Sequence, residues 1–338
     1  MRCGPMPADD QCSFALRRHR AKHRSSGHTG STRRPHVRFW VGALRPLGCA
    51  ERRDEVAEEG RGFESLFNAR DLTGWFATPR VYGSSWIGGP AVRQLAPTAF
   101  SEQHWDNAPR RPAVWTVEDG ALVGRQDDLE SGYGGFLVTE REFGDFELVL
   151  ETNPDWPADT GVIVRKLPFS WPGIQIVVDH RQSGSIGGIY GNGIGGFHAI
   201  SFTFDAVLDE FGHLNALKED EPDTSVEPLA DKAKLLSYGA TLHQFLAAWR
   251  PADWNELRVR VVGSKPVITT WVNGTKIAEL NLATLTFPNY DADEVADFLG
   301  PRGRIALEVH DSDPRAPVGR WGRGAACRWR NIRVKEFS

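Results

Sequence analysis

The sequence predicts an all-β protein, a jelly-roll sandwich of two antiparallel sheets with few short helices. Three observations carry this expectation. Short runs of alternating apolar and polar residues recur at regular spacing from residue 63 onward. Asp-Gly and Asn-Gly pairs stand between such runs, where a tight hairpin turn needs them. Helical periodicity is scarce, and no internal repeat is visible, so distant strands must pair within one domain.

The elements follow in order. Residues 114–117 (VWTV) enter Glu118, Asp119 and Gly120 and leave as 121–124 (ALVG), a predicted hairpin. Residues 146–151 (FELVLE) alternate and break at Asn153 and Pro154. Strands are expected next at 161–165 (GVIVR) and 174–178 (IQIVV). Residues 256–262 alternate cleanly, and 268–272 enter Asn273 and Gly274 before 276–280. The last strands are expected at 304–310 and 328–337. The best helical candidate is 226–247, which Gly239 interrupts.

Composition sets outer bounds. The chain has 338 residues with 25% charged and 40% hydrophobic, ample for one large core. No run approaches the length of apolar chain that a membrane-spanning helix needs. Of the four cysteines only Cys327 lies beyond residue 50, which argues against a disulfide-stapled domain and a cysteine-rich zinc site. The net charge of −4 hides an asymmetry: residues 1–50 carry ten Lys and Arg against two acids, and the remainder is acidic. Residues 1–62 therefore read as a disordered basic tail and charged linker, and 63–338 as the folded domain. A nucleic-acid or membrane-surface arm is a second reading of the tail, although no nucleic-acid partner is expected. Arg33 and Arg34 before an apolar stretch ending near Cys49 faintly resemble a lipoprotein signal that Arg45 and Pro46 cut short. Export to the periplasm, an anchored or an extracellular form is expected if this segment, or a different true start, acts as a signal; otherwise the location is cytoplasmic.

Several segments together resemble the 3-keto-disaccharide hydrolase domain family. They are 66–75 (LFNARDLTGW), 115–124 (WTVEDGALVG), 135–139 (GFLVT), 143–148 (FGDFEL), 159–165 (DTGVIVR), 253–255 (DWN), 271–274 (WVNG) and 330–337 (RNIRVKEF). The resemblance implies a concanavalin A-like fold, a carbohydrate substrate, and cleavage of the glycosidic bond of 3-keto-glycosides. Departures lie in 173–180 (GIQIVVDH), where Gln175 stands at a position commonly Glu and Val177 at one commonly Gln. The chemistry implied is proton removal from C2, elimination and hydration, with two-carboxylate hydrolysis as the competing route. A non-catalytic, lectin-like binding module is the alternative function.

Candidate catalytic residues are Arg165, Asp179, His180, His310 and Glu147. Strand alternation sets Gln175, Val177 and Asp179 on one face of their strand, and Glu308 and His310 on one face of another. Asp179 and His180 are candidate bases, with a turn cap as the plain reading of Asp179. Arg165 can stabilise an enolate or pair with an acid. His310 can serve catalysis with Glu308 or be a satisfied core histidine. Glu147 shares a face with Glu151, which solvent-facing alternation explains as well. No cofactor is implied with certainty; a divalent cation is the candidate, with Asp179, His180 and His310 as its ligands. Candidate sugar contacts are Gln175, Tyr190, Asn192, Glu308, Trp171 and Trp321. Trp86, Trp105 and Trp156 are further loop tryptophans able to stack on a pyranose or simply to pack. The glycine-rich tract 184–196 lacks a P-loop ending and is expected to be a flexible binding loop. The tract 319–324 reads as a second lip or a surface turn. The carboxylates of 221–227 match glucanase spacing, but a proline and small polar residues make that stretch a loop.

Overall fold

The computed structural model describes residues 62–80, 106–107, 110–127, 132–168, 171–220, 228–312 and 320–337. The basic tail, Trp86, Trp105, Gly319 and the stretch 221–227 lie outside them. Two antiparallel sheets face each other across an apolar core. The nine-stranded sheet contains β1 (Glu64–Ser65), β3 (Val114–Glu118), β4 (Ala121–Arg125), β6 (Phe146–Pro154), β13 (Tyr238–Gly239), β14 (Asn255–Val262), β15 (Val267–Val272), β16 (Thr275–Asn281) and β18 (Cys327–Glu336). Its order is β13-β16-β15-β14-β6-β18-β4-β3, with β1 also on β18. The seven-stranded sheet contains β2 (Trp75–Pro79), β5 (Gly135–Thr139), β7 (Ala158–Lys166), β8 (Gly173–His180), β9 (Ile186–Asn192), β10 (His198–Ala199) and β17 (Arg304–Val309), in the order β10-β9-β8-β7-β17-β5-β2. A hairpin of β11 (Phe204–Leu208) and β12 (Leu214–Glu219) stands beside them. Remote strands pair throughout, as in β6 with β18 and β5 with β17, which makes this a jelly roll.

The two predicted hairpins form. Asp119 and Gly120 have φ of 50° and 77°, and Asn273 and Gly274 have 47° and 80°, the left-handed pair that a two-residue turn requires. The predicted helix over 226–247 is corrected. Two short helices, α1 (Leu229–Ala233) and α2 (Leu242–Ala248), flank β13 instead. Gly239 pairs with Ala278, and a Cβ there would come within 2.6 Å of Ser201. The glycine tract is corrected too. It builds β9, ordered between β8 and β10. Gly188 and Gly191 leave room for Ile200 and Phe197, which a Cβ would meet at 2.3 and 2.4 Å.

The core takes alternate residues of both sheets, among them Leu148, Leu150, Val162, Val164, Ile174, Ile176, Leu257, Val259, Leu307 and Trp329. The two sheets differ in their other faces. Along β14, buried residues alternate with more exposed ones, so its second face meets solvent. Strands β5, β7 and β8 are buried at every position. Over these three strands the second face of the seven-stranded sheet is therefore largely covered, and the polar side chains there must satisfy one another.

Arg165 does not join that face. Its φ of 52° accompanies a register shift between β7 and β17. The kink turns its guanidinium to the carbonyls of Phe143, Gly144 and Gly263 at 2.6–3.2 Å, with Asp145 at 3.4 Å. It ties the β5–β6 turn to the β14–β15 turn. Replacing Arg165 by Met should lower stability by about 3 kcal/mol, since buried carbonyls lose their donor. Urea unfolding measures this; an unchanged midpoint would contradict the anchoring role.

Candidate active site

The second face of the seven-stranded sheet carries a buried ionic network. Asp159 of β7 lies directly across from Asp179 of β8. Directly opposed residues of an antiparallel pair bring their Cβ atoms to about 5 Å, so the two carboxylates are neighbours. Arg320 reaches Asp159 Oδ2 at 2.5 Å, and Arg181 Nε lies 2.9 Å from Asp179 Oδ1 and 3.7 Å from Asp159 Oδ2. The segment bearing Arg320 is held by Asp159 N–H, which donates to the Arg320 carbonyl at 2.8 Å. Alternation then sends the Arg320 side chain to the polar face and Trp321 into the core.

Next along the face come β17 and the end of β2. Arg80 donates from Nε to Glu308 at 2.7 Å and from one terminal nitrogen to Asp311 at 2.6 Å. Its other terminal nitrogen lies 2.9 Å from His310 Nε2. A guanidinium only donates, so His310 Nε2 accepts, and Nδ1, 2.7 Å from the Asp311 carbonyl, carries the proton. Gln175 donates to Glu308 Oε2 at 2.7 Å, and Asn192 donates to Gln175 at 3.1 Å. Gly161 lies opposite Glu308, and a Cβ there would meet the Gln175 amide at 2.9 Å. The absent side chain lets Gln175 cross to Glu308.

The two aspartates are driven in opposite directions. Burial and the neighbouring Asp159 charge push the Asp179 carboxyl up. Burial also opposes ionisation of Asp159, but the cations beside it, Arg320 and Arg181 among them, outweigh it and hold Asp159 low. The Arg181 contact lacks hydrogen-bond geometry, so Asp179 Oδ1 is a buried oxygen without a hydrogen-bond donor. Two linked carboxyls, one kept ionised and one able to hold a proton, form an acid–base pair. Arg181 and Arg320, at 21% and 30% exposed, bring solvent to this end of the face.

Of the residues singled out from sequence, Asp179, His310, Gln175, Asn192 and Glu308 come together here. Tyr190 pairs across from Gln175 and packs edge-on against His198. Trp171 lies on the same face, 6.0 Å from the Arg80 guanidinium. The others lie elsewhere. His180 points into the core between Trp156, Phe204 and Trp249 and faces the Asp155 carbonyl at 3.3 Å. Glu147 sits on the solvent face of the nine-stranded sheet, paired with Arg260 at 2.7 Å. Trp321 packs in the core and donates to the Ala325 carbonyl. Asp179 and His310 are thus separated from His180, and the three do not form a ligand set. Among the described residues no group of three His, Cys, Asp or Glu is placed to hold a metal ion.

Sequence reasoning missed Asp159, Arg80, Arg181, Arg320 and Asp311 as parts of this network. Asp159 had a usable signal: pairing β7 against β8 sets it opposite Asp179. Arg80 and Arg320 had none, being brought in from remote segments.

Fold and site together define a two-sheet antiparallel β-sandwich with an ionic network on one face of its seven-stranded sheet. The model of the 3-keto-alpha-glucoside-1,2-lyase-like domain family matches residues 62–335, and the chain belongs to that family. No curated protein matches it. Similar solved structures include a candidate glycosyl hydrolase from Parabacteroides distasonis ATCC 8503, at 15% identity over 83% of this chain and 97% of that one, TM-score 0.41. A β-1,3-glucanase from Mycobacterium marinum matches at 13% identity over 80% and 97%, TM-score 0.39. The carbohydrate-binding module CBM66 from Bacillus subtilis matches at 10% over 66% and 92%, TM-score 0.33.

Two stability outcomes follow from these placements. Asp159→Asn should cost about 3 kcal/mol, because Arg320 loses a buried ionised partner, whereas Asp179→Asn should stay within about 1 kcal/mol of the parent. Denaturant titration compares them, and equal losses would contradict the split between the two carboxyls. Burial pushes His180 down to about 4. The unfolded chain then takes up this proton first as the pH falls below 6.5, so stability drops from there to about pH 4, by about 3 kcal/mol from this group. In His180→Gln that portion of the acid sensitivity should vanish from melting curves; an identical pH dependence would refute the assignment.

Proposed function

We propose that this protein cleaves the glycosidic bond of 3-keto-glycosides by elimination and hydration. The observation that carries this reading is the Asp159–Asp179 pair on the polar face. A ketone at C3 acidifies the hydrogen on C2. Asp179, the more basic carboxylate of the two, takes that proton, and its position near Arg181 lets it return the proton in the hydration half. Asp159 stays ionised against Arg320 and keeps Asp179 from sharing its charge. The cations of the face are available to the negative charge that develops on the C3 oxygen. His310 holds Arg80 rather than acting as a free base, since its Nε2 lone pair is already occupied. Family membership supports the keto-sugar substrate class. The neighbouring amide groups of Gln175 and Asn192, the latter with its Oδ1 lacking a donor, suit sugar hydroxyls.

The experiment is turnover of a 3-keto-glucoside in deuterated water. Elimination and hydration place solvent deuterium at C2 of the released 3-keto-sugar, faster than exchange without protein. Asp179→Asn should lose about 100-fold or more in kcat with its melting temperature little changed. Product that keeps its C2 hydrogen would point to direct two-carboxylate hydrolysis. No product at all would remove the reading.

A further inference from the structure

The outer face of the nine-stranded sheet carries a cavity that the chemistry above does not use. Its volume is about 440 Å³. The floor is a row across three neighbouring strands. Glu256 of β14 lies directly opposite Glu151 of β6, and Glu151 directly opposite Arg330 of β18. Arg330 Nε donates to Glu151 Oε2 at 2.5 Å. Glu256 lies 3.8 Å from Arg333, beyond hydrogen-bond reach. Like charges set directly opposite each other weaken a sheet, so sheet stability gives no reason for the second glutamate.

The wall is the loop of residues 250–254. Buried Asn255 pins it. Its side chain donates to the carbonyls of Arg250 and Asp253 at 2.8 and 2.9 Å and accepts from the Arg250 N–H at 2.8 Å. The loop holds Trp254 against Arg330, whose guanidinium lies 4.1 Å from the ring centre. Arg250 reaches across to donate to Asn273 Oδ1 at 3.2 Å. The wall is therefore fixed before any ligand arrives. The side chains of Glu151, Glu256 and Arg330 are 29%, 32% and 39% exposed, and Arg250 and Asp253 are exposed, so the cavity opens to solvent.

The lining selects the ligand. Arg250 and Arg330 stand among Glu151, Asp253 and Glu256, so neither an anion nor a cation meets a field of one sign. Apart from Trp254 the lining is polar, and an apolar ligand would find little to bury against. An uncharged ligand rich in hydroxyls fits both conditions. The carboxylates accept and the guanidinium groups donate side by side, as adjacent ring hydroxyls need. The indole of Trp254 supplies apolar surface for a pyranose C–H face.

We propose that this cavity is a second, non-catalytic binding site, for a neutral oligosaccharide. It lies on the other sheet from Asp159 and Asp179, so it holds a glycan without presenting its bonds to that pair. It goes beyond the keto-glycoside reading and does not depend on it.

The test is isothermal titration calorimetry on the full chain with maltotetraose, cellotetraose, laminaritetraose and xylotetraose. At least one should bind with a Kd in the millimolar range or tighter. Trp254→Ala and Arg250→Ala should each weaken that binding about tenfold or more, with melting curves showing both variants folded. Arg250 is exposed, so its variant decides the matter should Trp254→Ala fail to fold. Binding that the folded variants keep in full would place the sugar elsewhere and overturn the proposal. So would binding of none of the four at millimolar concentration, or binding only of a charged probe, a heparin tetrasaccharide or spermidine.

Discussion

Two carboxylates on adjacent strands, directly opposed and buried, are the constraint on which the rest of the site depends. Asp159 and Asp179 cannot both carry full charge at this separation in a low-dielectric setting without cations beside them. The structure answers with Arg320 and Arg181, and the answer is unequal. Arg320 makes a hydrogen-bonded pair with Asp159, while Arg181 makes a charge contact with Asp179 that lacks hydrogen-bond geometry. That inequality separates one carboxyl that stays ionised from one that can exchange a proton. The functional proposal grows from this difference.

The second constraint is the enclosure of that face. The seven-stranded sheet has apolar packing on its core side and polar groups on the other, both largely out of water. Each charge there needs a counter-charge or a donor. Arg80 alone engages Glu308, Asp311 and His310, so one residue from the end of β2 satisfies three groups of the β17 end. Lys166 is the exception at the apolar end, a buried ammonium whose hydrogen bond goes to the Leu167 carbonyl. The nine-stranded sheet shows the contrast. Its outer charges are simpler: Glu151 meets solvent in a pair with Arg330, and Glu147 is covered by Arg260 and Arg258.

Much of the architecture was legible in the sequence because strands declare themselves through alternation and turns. The Asp119–Gly120 and Asn273–Gly274 hairpins required left-handed backbone, and only certain residues supply it cheaply. The face rule also placed Gln175 with Asp179 and Glu308 with His310 correctly. It separated His180 from them as well, and His180 follows that rule into the core instead of relaxing it at the strand end. Arg165 was illegible for a definite reason: a one-residue register shift reverses the face of everything beyond it, and alternation carries no sign of a bulge. It sent Arg165 to structural carbonyls and Lys166 to the polar face. The tract around Gly188 and Gly191 suggested mobility, yet these glycines are there to admit Ile200 and Phe197. Arg80 and Arg320 belong to pairings between remote segments, which no local pattern encodes.

The most direct measurement is a carbon-13 NMR titration of protein labelled at the aspartate carboxyl carbons, with Asp159→Asn and Asp179→Asn used to assign the two signals. The account requires one of them to titrate below the ordinary aspartate range and the other well above it, and requires the higher one to fall toward ordinary values in Asp159→Asn. Two signals that both titrate near pH 4, each indifferent to loss of the other carboxyl, would show that the pair is not coupled and that this face does not carry the proposed chemistry.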